Sequence, residues 1–199
     1  MRAVLKVGGS LISVALDLMC SLVEAHVSCL IVPGGGPFAN TVREFQSVLD
    51  DTTAHWMAVG AMNQYGWFLS AASTQITTKI NQDLSGVSVL LPFDEVYAND
   101  PLPHSWDVTS DSIAAWVAHK LNQDLVIATD VDGVYVDGHF TPSIGARAIT
   151  GHTCIDAFCP SLIQTYDMTC VIVNGRYFDR VLNALNGVPT VSTTIHSGE

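Results

Sequence analysis

Two clusters of glycine each follow a short apolar run and precede a helical pattern. The first is Gly8-Gly9-Ser10, after the run 3–7, and the second is Gly34-Gly35-Gly36, after the run 29–32. Glycine lets the backbone turn sharply and approach a ligand closely. The free N–H groups at a helix start attract an anion, and the helix dipole adds to that attraction. Each cluster therefore predicts a phosphate site, although a tight turn without a ligand could contain the same residues.

A lysine accompanies the first glycine cluster. Lys6 lies inside the apolar run, three residues before Gly9. Neither cluster has the spacing of the standard nucleotide motifs G-x-G-x-x-G and G-x-x-x-x-G-K-[ST]. A cation at this point could neutralise a phosphoryl group held between the two clusters, which is what phosphoryl transfer mainly requires. The alternative is a lysine that only protects an edge strand from aggregation.

The charge balance limits the possible partners. The chain carries 8 Lys and Arg against 19 Asp and Glu, a net charge of −11. It has no basic patch, so we expect neither nucleic acid nor an anionic membrane as a partner. Its lysines are Lys6, Lys79 and Lys120. Phosphate binding must therefore depend on backbone N–H groups, Mg²⁺ and one or two chosen cations.

Cysteine usage and hydropathy indicate a cytoplasmic protein. The five cysteines are odd in number and irregularly spaced, which argues against a disulfide framework. His152, Cys154 and Cys159 lack a second ligand pair, so we predict buried thiols rather than a metal site. The sequence contains no run of about 18 apolar residues, so we expect no membrane helix. The apolar stretch at the N-terminus is too short and too quickly followed by glycine to be a signal peptide.

The elements that must position these residues alternate between strands and helices. We predict strands over 3–7, 28–32, 87–91, 125–128, 169–173 and 190–195, and helices over 11–24, 38–49, 52–73, 109–122 and 177–185. We further expect a helix or lid over 74–83, loops over 93–103 and 139–150, and a helix interrupted by Pro160 over 152–166. This alternation predicts a single α/β domain over 1–199 with a mostly parallel sheet.

The glycine clusters and two later segments fall at the C-terminal ends of predicted strands. Ligands of such sheets bind at these ends, and Thr129-Asp130 and Asn174-Gly175 lie there as well. The helix 52–73 is dense in large apolar residues from Trp56 to Leu69. That helix could pack in the core or in a homodimer or larger homo-oligomer, or it could form a wall of the substrate pocket.

At four motifs the sequence resembles the amino acid kinase superfamily, which includes acetylglutamate, aspartate, uridylate and isopentenyl phosphate kinases. The motifs occur in family order between residues 6 and 135: 6–11 (KVGGSL), 32–37 (VPGGGP), 109–115 (TSDSIAA) and 129–135 (TDVDGVY). The resemblance implies a three-layer α/β/α sandwich and an ATP-dependent, Mg²⁺-assisted kinase of a small molecule.

The resemblance also implies roles for individual residues. Lys6 would neutralise charge on the transferred group and Asp111 would organise the active-site lysine, both as catalytic residues. The ATP site would comprise Gly8, Gly9, Ser10, Thr129, Asp130, Gly133, Val134 and Tyr135, and Gly34, Gly35 and Gly36 would hold the acceptor phosphate. The structural alternatives are an acidic helix start at Asp111 and turn formation by Asp130 and Asp132.

One departure from the family pattern concerns a second lysine. Many members carry it shortly after the segment that ends here at Tyr135, but the stretch 136–140 has none. His139 or Arg147 could substitute, or Mg²⁺ and N–H groups could suffice. The missing lysine also leaves open a non-catalytic protein of this fold that binds a nucleotide or an oxyanion.

Three stretches, 55–70, 102–111 and 173–176, resemble the small kinases of methanofuran biosynthesis. That resemblance implies [5-(aminomethyl)furan-3-yl]methyl phosphate as the acceptor and a diphosphate as the product. Trp106 would then contact the ring or the ammonium, and Asp107 or another carboxylate would pair with the ammonium. The alternatives are a kinase of the isopentenyl phosphate or acetylglutamate type, and a core position for Trp106.

Overall fold

A central sheet organises the structure, a computed structural model that describes residues 3–80, 85–150 and 153–198. Its strands are β1 (Ala3–Val7), β2 (Cys29–Pro33), β3 (Gln75–Thr77), β4 (Val87–Leu90), β5 (Leu125–Thr129), β8 (Ser143–Gly145), β9 (Cys170–Asn174) and β10 (Ser192–His196), with β6 (Tyr135–Val136) and β7 (His139–Phe140) in a separate hairpin. The order is β3-β4-β2-β1-β5-β9-β10-β8. Among the described neighbours in the central sheet, only β9 and β10 pair antiparallel, so the mostly parallel sheet is confirmed.

Helices pack on both faces of this sheet. They are α1 (Ala15–Glu24), α2 (Gly36–Glu44), α3 (Asp51–Ser70), α4 (Phe93–Asn99), α5 (Ser110–Leu121), α6 (Cys159–Thr165) and α7 (Phe178–Leu185). One apolar core lies on the face covered by α5 and α6, and the other on the face covered by α1 and α7. The three-layer α/β/α architecture is therefore confirmed.

Strand alternation decides where Lys6 points. Side chains along a strand alternate between faces. Leu5 and Val7 pack in the core beside α1, whereas Val4 packs in the core beside α5. Lys6 shares the face of Val4 and is therefore directed toward the N-terminal part of α5.

The register brings the C-terminal ends of four strands together. Val7 is aligned with Pro33 of β2 and with Ala128 of β5. Thr129 of β5 is in turn aligned with Asn174 of β9. The segments that follow these strands, including both glycine clusters, therefore meet at one edge of the sheet.

Four local predictions were wrong. The segment 74–83, where a helix or lid is expected, contains strand β3 in place of a helix, and its residues 81–83 lie outside the described residues. Residues 93–103 include α4, which has two acidic residues in its first turn, where the helix dipole favours them. The loop predicted over 139–150 contains β7 and β8. Pro160 lies at the start of α6 instead of interrupting a longer helix, because proline is tolerated in a first turn.

The cysteines are free thiols. Cys29, Cys159 and Cys170 are buried, and Cys154 is partly buried. Burial raises the pKa of the Cys154 thiol to about 11. His152 of the cluster considered above lies outside the described residues. In the part of the chain that the structure describes, no helix is long and apolar enough to cross a bilayer.

Candidate active site

A buried ion pair joins the centre of the sheet to α5. Lys6 Nζ lies 2.7 Å from Asp111 Oδ1, and the two side chains are only 9% and 7% exposed. Lys6 comes from the middle strand of the parallel region and Asp111 from the first turn of α5. Because two charges so far from water need each other, this pair explains how an apolar strand can contain a lysine.

The pKa of Asp111 reflects the same burial. Loss of water raises the pKa of its carboxyl above the ordinary value, and the nearby charge of Asp156 adds to this effect. The ammonium of Lys6 opposes both influences. Burial is the largest of these effects, so Asp111 depends on Lys6 to remain ionised.

A second carboxylate, Asp156, holds Asp111 in place. Asp156 Oδ2 accepts hydrogen bonds from the N–H and the hydroxyl of Thr109 and from the N–H of Ser112, at 2.8–2.9 Å. Its Oδ1 accepts from the Ser112 hydroxyl at 2.6 Å and from the Cys159 N–H at 2.8 Å. The Asp156 N–H donates to Asp111 Oδ2 at 3.1 Å. Asp156 therefore caps both α5 and α6 and links them to the buried ion pair.

The two glycine clusters touch each other. A Cβ on Gly9 would overlap the N and Cα of Gly36, and a Cβ on Gly34 would lie 2.8 Å from the N of Gly9. A Cβ on Gly8 would lie 3.6 Å from Lys6 Nζ. Only glycine therefore permits this close approach, and the ammonium of Lys6 lies beside the junction. The first N–H groups of the helical turns at Gly9 and Gly36 have no partner within their own turns.

The predicted nucleotide segment lies at the adjacent end of β5. Thr129 is the last residue of β5 and is buried, whereas Asp130 and Tyr135 are exposed. Gly133 has a φ of +155°, and a Cβ there would overlap the Thr193 side chain. The Val134 N–H donates to Thr193 Oγ1 at 2.9 Å, and the Val134 side chain is buried. The Val134 carbonyl accepts from the Thr141 N–H at 2.9 Å, so the side chain and both backbone polar groups of Val134 are engaged within the protein.

Arg180 supplies a cation on this side that the sequence reasoning missed. Its Nη1 lies 2.9 Å from Asp132 Oδ1, and the Asn174 amide donates to the same oxygen at 2.9 Å. The guanidinium also lies 4.0 Å from the centre of the Tyr177 ring. His139 and Arg147, the two substitutes considered for the second lysine, are both exposed.

A pocket of about 160 Å³ opens from the second glycine cluster. Gly35 and Gly36 form one end of it, and Trp106 and the start of α5 form part of its wall. The Arg43 guanidinium lies 4.9 Å from the centre of the Trp106 ring. Asp107 does not line the pocket: its side chain is exposed, and its backbone carbonyl accepts from the Phe158 N–H at 3.1 Å.

One face of α3 forms the opposite wall of this pocket. It contributes residues three or four positions apart, which share a face of a helix: Asp51, Ala54, His55, Ala58, Val59 and Met62. The apolar character of this helix therefore serves a pocket wall as well as the core. Met57 and Trp67 of the same helix remain exposed, at 43% and 60%.

The missed residues have weak sequence signals. Asp156 follows no recognisable motif, and the signal is only that it lies three residues before Cys159, where α6 begins. Asp51 and His55 are separated by one helical turn within an apolar pattern. That spacing was available from the sequence, but nothing in it indicated which side of α3 faces a pocket.

Comparisons with known proteins identify similar chains. A family model described as Amino acid kinase family matches residues 73–145. The [5-(aminomethyl)furan-3-yl]methyl phosphate kinase of Methanocaldococcus jannaschii is 32% identical over 208 residues, covering 96% of this chain and 96% of that protein.

Solved structures share the fold at lower identity. Uridylate kinase from Archaeoglobus fulgidus has a TM-score of 0.71 at 18% identity, covering 98% of this chain and 100% of that one. UMP kinase from Ureaplasma parvum has a TM-score of 0.75 at 19% identity, covering 98% and 99%. These two likenesses extend over the whole of each chain and concern the fold alone.

Proposed function

The chain belongs to the amino acid kinase family, and we propose that it transfers the γ-phosphoryl group of ATP to [5-(aminomethyl)furan-3-yl]methyl phosphate. The products would be the corresponding diphosphate and ADP. The support for this acceptor is the relative from Methanocaldococcus jannaschii, which carries it in its name and aligns over nearly its full length. A pocket with an aromatic wall beside the glycine clusters fits a phosphorylated furan.

The observation that carries the proposal is the Lys6–Asp111 pair beside the junction of the two glycine clusters. In the reaction an oxygen of the acceptor phosphate bonds to phosphorus while the bond to the bridging oxygen breaks and ADP leaves. A phosphate oxygen is already anionic near neutral pH, so no side chain has to remove a proton. Positioning and charge neutralisation remain as the tasks of the protein.

The described residues divide these tasks between them. Lys6 offsets the negative charge of the transferred group, and Asp111 keeps the Lys6 ammonium in position. The N–H groups of Gly9 and Ser10 hold donor phosphates, and those of Gly35 and Gly36 hold the acceptor phosphate. The N–H groups of Gly8 and Gly34 instead donate to the carbonyls of Ala128 and Val7, each at 2.9 Å. The segment 129–135 takes the nucleotide, with Thr129, Asp130, Gly133, Val134 and Tyr135 as its contacts.

Magnesium fits the donor side of this arrangement. ATP supplies the phosphoryl group when bound, and Mg²⁺ offsets the charge of its phosphates. Among the described residues, no cluster of three or more His, Cys, Asp and Glu could hold a metal ion. Mg²⁺ commonly binds through one or two carboxylates together with substrate phosphates, and the exposed Asp130 at the end of β5 is a suitable carboxylate.

We further propose a single domain over 1–199 that acts in the cytoplasm as a homodimer or larger homo-oligomer. Trp67 and Met57, exposed on α3, support a subunit contact on that helix. Free thiols at all five cysteines are compatible with a reducing compartment.

A coupled assay of ADP release tests the acceptor. The purified protein is supplied with ATP, Mg²⁺ and one of four acceptors: the aminomethylfuran phosphate, isopentenyl phosphate, acetylglutamate or UMP. We expect the furan phosphate to give the highest kcat/KM by at least about a hundredfold, and Lys6→Met to remove the signal. A higher kcat/KM with another acceptor would reject the proposed substrate. ATP binding without turnover on any acceptor would favour the non-catalytic alternative.

A further inference from the structure

The pocket contains a polar pair that phosphoryl transfer does not use. Asp51 and His55 lie four residues apart on α3 and both line the pocket. Residues at this spacing are neighbours on a helix surface. Asp51 is exposed in the first turn of α3, whereas His55 lies deeper and is 7% exposed.

His55 has no hydrogen-bond partner among the described residues, although it is more than nine-tenths buried. Its ring stacks on His104 with the ring centres 4.4 Å apart. His104 is itself fixed, because its Nδ1 lies 3.0 Å from Thr52 Oγ1 and its Nε2 lies 2.9 Å from Asp100 Oδ1. A buried polar group normally has a partner, so the His55 ring has unused capacity that faces the pocket.

The imidazole of His55 is neutral near pH 7. Burial and, to a smaller extent, the charge of His104 lower its pKa to about 4, against the opposing charge of Asp100. A neutral imidazole has one ring nitrogen that accepts a hydrogen bond. Because the acceptor phosphate needs no base to remove a proton, His55 has no evident role in the chemical step.

The charges around the pocket favour a cation near this pair. Asp51 is the one carboxylate among the described residues that line the pocket. The one cation in that lining, Arg43, lies over the Trp106 ring and forms no ion pair with Asp51 within the described part of the chain. The carboxylate of Asp51 therefore remains available to a ligand.

We propose that Asp51 and His55 form a recognition site for a primary ammonium group of the acceptor. Asp51 supplies the opposite charge and His55 accepts one N–H of the ammonium. The phosphate of the same molecule lies at Gly35 and Gly36, so the two ends of the acceptor are held by different elements. The choice of acceptor rests on the proposed function. In this recognition site the ammonium partner is Asp51 rather than Asp107.

Two acceptors that differ in one group test this site. The second acceptor is the furan phosphate with a hydroxyl group in place of the amine. We expect the wild type to prefer the amine in kcat/KM, and Asp51→Asn to reduce that preference by about tenfold to a hundredfold, the range for a hydrogen bond between charged groups. The loss should appear in KM rather than kcat. Glu44→Gln removes the same charge from an exposed residue of α2 outside the pocket and should leave the preference unchanged.

The histidine is tested by two variants. His55→Phe keeps a ring to stack on His104 but cannot accept a hydrogen bond, and we expect it to lose several-fold of the preference. His55→Gln keeps an acceptor atom and should retain more of the preference. An equal rise in KM for both acceptors in Asp51→Asn and His55→Phe would overturn the proposal, because it would indicate a structural role only.

A binding measurement separates this proposal from the proposed function. If the wild type turns over neither furan phosphate, the proposed function fails, and the ammonium site is tested by calorimetry with furfurylamine and furfuryl alcohol. Tighter binding of the amine by the wild type, lost in Asp51→Asn, would support the site. Equal binding of the amine and the alcohol would overturn it.

Discussion

Substitutions in the Lys6–Asp111 ion pair can measure how much each charge contributes to stability and to activity in the candidate active site. Lys6→Met keeps the length and apolar stem of the side chain but leaves Asp111 buried without its cation. The two side chains are 9% and 7% exposed and their charged atoms are 2.7 Å apart. Removal of one partner from such a pair typically costs about 3–5 kcal/mol of unfolding free energy, so we expect Lys6→Met to be destabilised by about 3 kcal/mol.

The double variant separates stability from catalysis. In Lys6→Met combined with Asp111→Asn no buried charge is left unpaired, so the combined loss should be smaller than the sum of the single losses by about 2 kcal/mol. Activity should not recover, since the ammonium that offsets the transferred charge is absent. We expect kcat to fall by about a thousandfold in Lys6→Met and in the double variant. Urea unfolding and the ADP-release assay measure the two properties on the same samples.

The pH dependence of Lys6→Met follows from the raised pKa of Asp111. The carboxyl of Asp111 has a higher pKa in the folded protein than in the unfolded chain, so its ionised form is less stable in the folded protein. Above the folded pKa this difference lowers the free energy of unfolding. This penalty disappears as pH falls toward the unfolded value of about 3.9. The stability difference between wild type and Lys6→Met should therefore shrink as pH falls from about 8 to about 5. Two results would refute this reasoning. One is a double variant whose loss of stability equals the sum of the two single losses, and the other is a stability difference between wild type and Lys6→Met that grows as pH falls.

The remaining predictions concern the glycine junction and the cap of α5 and α6. Gly9→Ala should abolish turnover and lower the melting temperature because its Cβ would overlap Gly36. Gly60→Ala in α3, where the added Cβ would lie 4.0 Å from the Phe93 ring of α4, should gain about 0.5–1 kcal/mol. Equal losses in both would contradict the close-approach argument. Asp156→Asn should cost about 3 kcal/mol in urea unfolding, since it places a donor against buried N–H groups, while exposed Asp179→Asn should change stability by less than about 0.5 kcal/mol. An unchanged midpoint for Asp156→Asn would rule out the capping role.

The sheet was predictable because its central strands are buried along their whole length. All five residues of β1, β2 and β5 are buried, so each appears in the sequence as a short, mostly apolar run. The glycine clusters were predictable for a related reason: a strand must end and the chain must turn before the next helix begins. Lys6 stood out because a lysine in such a run needs a partner.

The contacts that complete the site could not be predicted from local pattern. Asp156 receives its hydrogen bonds from Thr109 and Ser112, 47 and 44 residues earlier, and no periodicity records contacts at that separation. Asp107 was selected because it adjoins Trp106 in sequence, yet their side chains diverge and only Trp106 lines the pocket. Asp51 and His55 were overlooked because the face that α3 presents depends on how it packs against α2 and α4.

The helix α4 illustrates a different limit. Its sequence from Phe93 to Asn99 lies between two prolines and resembles a loop in composition. Val96 is buried, and Phe93 stacks on Tyr97 with the ring centres 5.6 Å apart. Packing of these side chains beside Trp56 of α3 stabilises a short helix that has little propensity of its own.

The contact between Gly9 and Gly36 separates two tasks of the proposed site, the positioning of phosphates and the selection of the acceptor. In the proposed function, the distance between donor and acceptor phosphates would be set where the two glycine clusters meet, whereas the face of α3 that lines the pocket would meet the far part of the acceptor. Substitutions at 51, 55, 58, 59 and 62 would then change the choice of phosphorylated substrate and leave the glycine junction unaltered. An engineer seeking new acceptors should diversify that face of α3 and leave both glycine clusters untouched.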